Sequence, residues 1–395
     1  MILAVNLTIS AILVVLSIVK RSSRFLFVLI FLWMWFLFSF NYGNADYTMY
    51  VDLYGGVSDR EIEPGMNIIM QIFNAAGLSY HAFLAILSAV GLSLVAITIT
   101  KRSKKNISLI AALYLIFPFV FDAIQIRNFI AMSLIIFGIN YLIDRGKWWC
   151  LKYVIINIIA ISFHSMSAVC LLFPLLVLLK KKTIWVATSI ALLFGVIVSF
   201  NKSLLTTLLS TFLSQEKVDA YFGLEGRYSS PGIFNIILSI FILISLVLIV
   251  YYCKKRIKDI KDKKITESIL LLEKISIVGL LLIPFLRYST VIMRLARSMM
   301  LLYYIVFADV LFSDGEKIHR ERDKNSKNDN LKSGVIVGER PRLASFKKYS
   351  LAIQIVIVII AWNYSFIFGI RNEKLTYGAV FGNNIVEEKM FGMEI

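Results

Sequence analysis

Two arginines, Arg294 and Arg297, interrupt the apolar run from Val291 to Phe312. A charge at the centre of a bilayer costs about 2.5–3.5 kcal/mol on insertion scales, so such residues are retained for a purpose. Three positions apart, their guanidinium groups share a helical face, and Arg287 joins them roughly two turns earlier if the helix reaches back that far. Neither arginine has a carboxylate at i+4. The stripe is suited to holding an anion, and the planar fork of arginine suits a phosphate.

Five further groups of residues could do chemistry. Arg127 stands at the start of an apolar segment in FDAIQIRNFIAMSLIIFGINYLI. A helix beginning there would add free N–H groups and a positive dipole end for an anion, while the plainer reading has Arg127 snorkelling or paired with Asp122. His164 lies among Ser162, Ser165 and Ser167 in AISFHSMSAV, which fits a hydrogen-bonded packing residue as well as a base. Glu63 precedes Pro64 in SDREIEPG; Pro64 can open an amphipathic helix over Gly65 to Ala76, and Asp59 and Glu61 read as solvated. Upstream, NYGNADYTMYVDLYGG would place Tyr47, Tyr50 and Tyr54 on one side of a helix, with Asp46 beside Tyr50; these rings could stack on sugars or anchor the chain at the interface. Finally, Arg227 and Tyr228 sit in QEKVDAYFGLEGRYSSPG, whose composition fits a substrate-gating loop or an ordinary connector.

The elements that position these residues are membrane helices. The chain of 395 residues is 58% hydrophobic and 17% charged, with a mean hydropathy of +0.77. Apolar stretches recur nearly from end to end, and a segment of ~17–25 residues crosses a ~30 Å hydrocarbon core, which gives about twelve spans. They run Ile2 to Val19, Phe25 to Phe40, His81 to Thr100, Ile107 to Phe121, Arg127 to Ile143 and Trp148 to Ser162. The series continues with His164 to Leu179, Thr183 to Phe200, Ile233 to Tyr252, Ser268 to Leu286, Val291 to Phe312 and Tyr349 to Phe368. The two on either side of His164 are short enough to be tilted, broken or re-entrant. The expectation is an all-α, polytopic integral membrane protein forming a single membrane domain over residues 1–395.

The net charge of +17 does not point to nucleic acid, because its placement explains it. Lys20 to Arg24, Lys101 to Lys105, Arg145 with Lys147, Lys180 to Lys182, Lys254 to Lys264 and Lys317 to Lys348 all fall in alternate loops. By the positive-inside rule those loops are cytoplasmic and both termini are outside. The two sizeable extracytoplasmic loops are then 41–80 and 201–232, and 313–348 is a basic cytoplasmic linker. LLTTLLSTFL, at the start of the second loop, reads as an interfacial helix. The first span lacks a basic n-region and a small-residue cleavage site, so it reads as a membrane helix and not a cleaved signal. Cys150, Cys170 and Cys253 are isolated, and the three histidines do not cluster with carboxylates, so no disulfide framework or metal site is expected. No repeat supports a transporter of inverted halves, and no cofactor motif of the dinucleotide or P-loop kind occurs.

In order, DYTMYVDLY with EPGMNIIMQIFNAAGL, then QIRNFIAMSLIIFGINYL, SFHSMSAVCLLFPLLVLL and VIMRLARSMMLLYYIV resemble the EpsG family and the related Wzy-type polymerases of bacterial surface polysaccharides. Each motif is weak alone; their order and shared side are specific. The resemblance implies a polytopic inverting glycosyltransferase of the bacterial cytoplasmic membrane, with its active site on the extracytoplasmic side. It would move the growing glycan from undecaprenyl diphosphate to a hydroxyl of the incoming lipid-linked repeat unit, making O-antigen, capsule or exopolysaccharide without a cofactor. On this view Arg127, Arg287, Arg294 and Arg297 clamp the diphosphate, with Arg227 a mobile addition. Glu63, His164 and Asp46 compete as base, and Tyr47, Tyr50, Tyr54 and Tyr228 face the glycan. Partners would be the lipid-linked oligosaccharide as donor and acceptor, membrane lipids, a flippase and a chain-length regulator. Two rivals remain: a lipid-linked oligosaccharide flippase, which calls for two comparable halves, and a membrane O-acyltransferase, which calls for a histidine open to a cytoplasmic donor.

Overall fold

The computed structural model describes residues 1–58, 60–211, 218–219, 232–256, 263–312, 352–361 and 376–390. Among them the regular structure is helical, and the sole β-type pairing is an isolated bridge between Asn41 and Asn384. Six helices are long and apolar enough to cross a membrane: Ile2–Val19, Tyr80–Arg102, Ile126–Asp144, Lys181–Phe200, Ile233–Arg256 and Lys263–Phe285. A pair, Thr290–Ser298 and Met300–Leu311, bent by 45°, makes a seventh when taken as one span.

The other five of the twelve expected segments are shorter apolar helices of 10–17 residues: Arg24–Phe40, Ile107–Ile116, Trp149–Phe163, Ser165–Leu178 and Ala352–Ala361. Local chemistry explains two of the interruptions. The segment from Ile107 stops at Ile116 and resumes as Phe119–Ile124, because Pro118 has no N–H to donate and disfavours helix at Phe117. After His164 the chain tightens into a 3-10 helix, Ser165–Leu172, before a turn of α-helix at Phe173–Leu178. Elsewhere the starts are capped: Ser23 Oγ accepts from Leu26 N at 3.2 Å and Ser79 Oγ from Ala82 N at 3.2 Å. Lys101 and Arg102 close the Tyr80–Arg102 helix against its negative dipole end.

The bundle is arranged around Ile126–Asp144, whose apolar stretch is 78% buried against 28% for those of Ile2–Val19 and Lys181–Phe200. It packs against Trp149–Phe163 and Tyr80–Arg102. The peripheral helices turn Val15, Ile18, Ile190, Leu193 and Phe194 outward. That is the inverted surface expected of a protein solvated by hydrocarbon.

Polar contacts gather at the two ends of the bundle. At one end Ser108 Oγ donates to the Lys20 carbonyl at 2.6 Å, Arg102 meets Asp144 at 2.8 Å, and Arg145 meets Glu267 at 3.0 Å. Glu273 there bridges Lys181 and Lys254. At the other end Tyr42 N donates to the Asn383 carbonyl at 3.3 Å, His81 Nδ1 lies 3.0 Å from the Ser39 carbonyl, and Tyr288 donates to the Ser199 carbonyl at 2.5 Å. The described basic loops share the first end, and the loop 41–80 lies at the second. Within that loop Tyr47–Tyr54 and Pro64–Ala75 are helices; the latter buries Met66 and Met70 and exposes Ile68 and Ile72. The helix expected at the start of the second loop forms as Lys202–Ser210. The linker 313–348 lies outside the described residues.

Candidate functional site

Glu63 is the centre of the charged cluster at this second end. Its Oε2 accepts from Arg127 Nη1 at 2.7 Å, and its Oε1 accepts from the backbone N and Oγ of Ser165 at 3.2 and 3.0 Å. His164 Nδ1 lies 3.4 Å from the same Oε1. Three elements deliver these groups. Glu63 is the residue before the Pro64–Ala75 helix, Arg127 sits in the first turn of Ile126–Asp144, and His164 occupies the break between Trp149–Phe163 and the 3-10 turn. The break is what aims His164: its extended backbone, φ −154° and ψ 114°, turns the ring off the axis of the preceding helix. Arg127 is thus paired with Glu63, 64 residues away, and not with Asp122.

Burial alone would raise the pKa of the Glu63 carboxyl; the close approach of His164 Nδ1 and the positive charge of Arg127 reverse this and hold it well below the usual carboxylate range. Glu63 is therefore a permanent anion and a weak base at neutral pH. What it can do is fix its neighbours. With Nδ1 turned to the carboxylate, Nε2 is the atom of His164 left to exchange a proton, the division of labour used wherever a carboxylate orients a basic imidazole.

Two of the tyrosines expected to face a glycan, Tyr50 and Tyr54, are buried. Tyr50 is 3% exposed and accepts from Arg127 Nε at 2.8 Å. Burial pushes its phenol up to about 12, so it stays protonated. Tyr54 is buried, donates to the Leu78 carbonyl at 2.6 Å and packs on Tyr80 and Phe83. Both rings are enclosed by their own loop and support Arg127 and the loop itself. Tyr47 remains partly open, 3.3 Å from His81 Nε2 through its hydroxyl. Asp46 precedes that helix, and its charge acts on Tyr50 and Arg127.

The arginine stripe divides into three environments. Arg297 is 2% exposed, donates from Nη2 to Gln125 Oε1 at 2.5 Å, and lies 4.8 Å over the Phe121 ring. Asp122, held by Tyr114 at 2.6 Å, contributes an opposing charge to it. Gln125 and Asp122 come from the Phe119–Ile126 bend, so Arg297 is a buried cation with neighbours that its spacing from Arg294 does not reveal. Arg287 does not share its helix: the chain turns between Phe285 and Thr290, and Arg287 stacks 5.1 Å over Phe200 and 5.4 Å over Tyr288 at an exposed position. Arg294 is half-buried and has no ion pair or hydrogen bond among the described residues, while its charge reaches Tyr50 and His164. Arg227 and Tyr228 lie outside the described residues.

Two glycines escaped the sequence reading. A Cβ on Gly65 would stand 2.3 Å from Ser162 Oγ and 2.8 Å from the Ser162 carbonyl; on Gly91 it would stand 2.4 Å from the Phe129 ring. The first lets the Glu63 helix close on the end of Trp149–Phe163, and the second seats the helix that carries Arg127. The signal available was only a glycine beside Pro64 and one in an apolar helix, neither of which names its neighbour.

Fold and site together define an all-α, multi-pass membrane protein with a buried carboxylate clamped between an arginine and a histidine at one end of the bundle. The chain belongs to the EpsG family: that family's model matches residues 24–321. Glu63, Arg127, His164, Arg294 and Arg297 all lie within the match. Neither a curated protein nor a solved structure matches the chain. Membership supports a general role in polysaccharide biosynthesis of the polymerase kind.

Proposed function

We propose that this protein polymerises the repeat units of a bacterial surface polysaccharide at the extracytoplasmic side of the cytoplasmic membrane. The observation that carries this reading is the cluster in which Glu63 holds Arg127 and Ser165 and faces His164, with Arg294 close by and without an ion pair or hydrogen bond among the described residues. An acceptor hydroxyl bound beside His164 gives its proton to Nε2 as its oxygen attacks the anomeric carbon of the growing chain. The bond from that carbon to the diphosphate breaks with inversion, and undecaprenyl diphosphate leaves with the electron pair. Arg294 meets the charge that develops on the leaving oxygens, and Arg127 adds to the positive field while Glu63 keeps it in place. Burial of the cluster at the edge of an apolar bundle lowers the local dielectric and strengthens these interactions.

The test is turnover by the purified protein in proteoliposomes given a lipid-linked repeat unit and no nucleotide sugar. The expected result is a ladder of longer lipid-linked glycans. Arg294→Lys keeps the charge and loses the planar fork, so the ladder should collapse while the protein still inserts. No ladder from the wild-type chain, or a wild-type ladder from the lysine variant, would overturn the polymerase reading or the role of Arg294, respectively.

A further inference from the structure

Beside the cluster lies an apolar cavity of about 140 Å³. Its walls include Val169 and Leu172, from the 3-10 turn that follows His164, and Leu295 and Ala296, which directly follow Arg294. Val169 and Leu172 are 47% and 45% exposed, so the wall they form continues onto the hydrocarbon-facing surface. The polar side chains in the wall include Ser276 and Tyr303, whose hydroxyls bond each other at 2.7 Å and ask nothing of a guest. Gly279 is the most telling lining residue. Its backbone, φ −56° and ψ −24°, is one any residue adopts, and a Cβ built there meets nothing within 4 Å. A glycine in helical backbone costs stability relative to alanine; here its absent side chain keeps the space open.

We infer that this cavity receives an isoprenoid unit of the lipid carrier close to its head group, with the carrier's diphosphate on Arg294. The inference rests on the polymerase reading for the identity of the carrier, and on the geometry for the rest. On the short helix Arg294–Ser298 the arginines and the pair Leu295 and Ala296 occupy opposite faces. A chain attached to a head group at Arg294 therefore passes round a helix ~10 Å across, the length of about two five-carbon units, to reach the apolar wall. Apolar cavities of about this size stay dry and accept a guest of roughly benzene size, close to one five-carbon unit. A branched, stiff isoprenoid fits such a pocket better than a straight acyl chain, which must give up more rotational freedom to enter it.

The experiment measures binding of farnesyl diphosphate and methyl diphosphate to the full chain in nanodiscs. Farnesyl diphosphate should bind more tightly, and Gly279→Leu, which grows into the cavity, should weaken it by about tenfold with methyl diphosphate unchanged. Ala296→Leu, filling from the opposite wall, should do the same and guards against a folding defect peculiar to one site. An unchanged ratio of the two ligands in both variants would overturn the proposal. So would equal weakening of dipalmitoyl phosphatidate, which would make the cavity a general acyl site. Loss of the glycan ladder with farnesyl selectivity intact refutes the polymerase reading alone; a normal ladder with no effect of cavity filling refutes the isoprenoid site alone.

Discussion

Glu63 and His164 divide the work of one base between two side chains. Because the folded-state pKa of Glu63 is depressed, its contribution to fold stability is fully present above the ordinary carboxylate range and is lost as pH falls through the folded value. Over the physiological range its charge does not change, so the acidic limb of a pH profile belongs to the imidazole. Glu63→Gln should lower turnover by about 10²-fold or more with donor binding nearly unchanged. Removing the adjacent negative charge lowers the imidazole pKa, so the residual activity should show its acidic limb displaced to lower pH. Glu61, exposed two residues earlier, serves as the control, and its Gln variant should behave as wild type. An unshifted limb in Glu63→Gln would mean that Glu63 serves Arg127 and not His164.

At the scale of elements, the cluster depends on how closely two helix ends approach. Gly65 lies two residues beyond Glu63, against Ser162 two residues before His164. Gly65→Ala adds a methyl group where the Ser162 hydroxyl and carbonyl leave no room, an overpacking of about 1–3 kcal/mol relieved by moving the Pro64–Ala75 helix outward. Carboxylate and imidazole would then separate although neither is changed. The expected outcome is loss of chain extension in a protein that still inserts and purifies as a folded species. Wild-type product length from Gly65→Ala would show that the 2.3 Å approach relaxes without moving Glu63. The breaks at Pro118, His164 and Met299 belong to the same scale, since they bring polar side chains to the site from segments that would otherwise be uninterrupted spans.

For the whole molecule, the separation of polar contacts into two ends makes a topological prediction. Reporters fused after Lys264 should be cytoplasmic, and reporters at Ser58 extracytoplasmic. A cytoplasmic Ser58 would put the Glu63 cluster on the wrong side of the membrane for a polymerase and sink the proposed function. The two ends of the chain meet on the same side as the cluster: Asn6 donates to the Phe381 carbonyl at 2.9 Å and to Glu387 at 2.7 Å. Both partners lie outside the residues matched by the family, so the described part of the bundle is closed by contacts beyond that common region.

Local sequence sets the environment and names the suspects. Hydropathy fixed the helical, membrane-embedded class, alternation of lysine and arginine sorted the loops, and the cost of charge in hydrocarbon marked the arginines. Those are properties of segments, legible because bilayer thickness and insertion energy act on stretches of chain irrespective of their neighbours. Which charges meet was decided only by tertiary structure. Asp122 was the near partner for Arg127, yet Glu63 holds it, and Asp122 faces Arg297 across the bend at Pro118. The helical face that grouped Arg287 with Arg294 and Arg297 required a continuous helix, and the turn after Phe285 removed it. Tyr50 and Tyr54 carried the right chemistry for sugars but were enclosed by the packing of their own loop. Long-range pairing and burial depend on where separate helices pack, and a local pattern of residues contains no term for that.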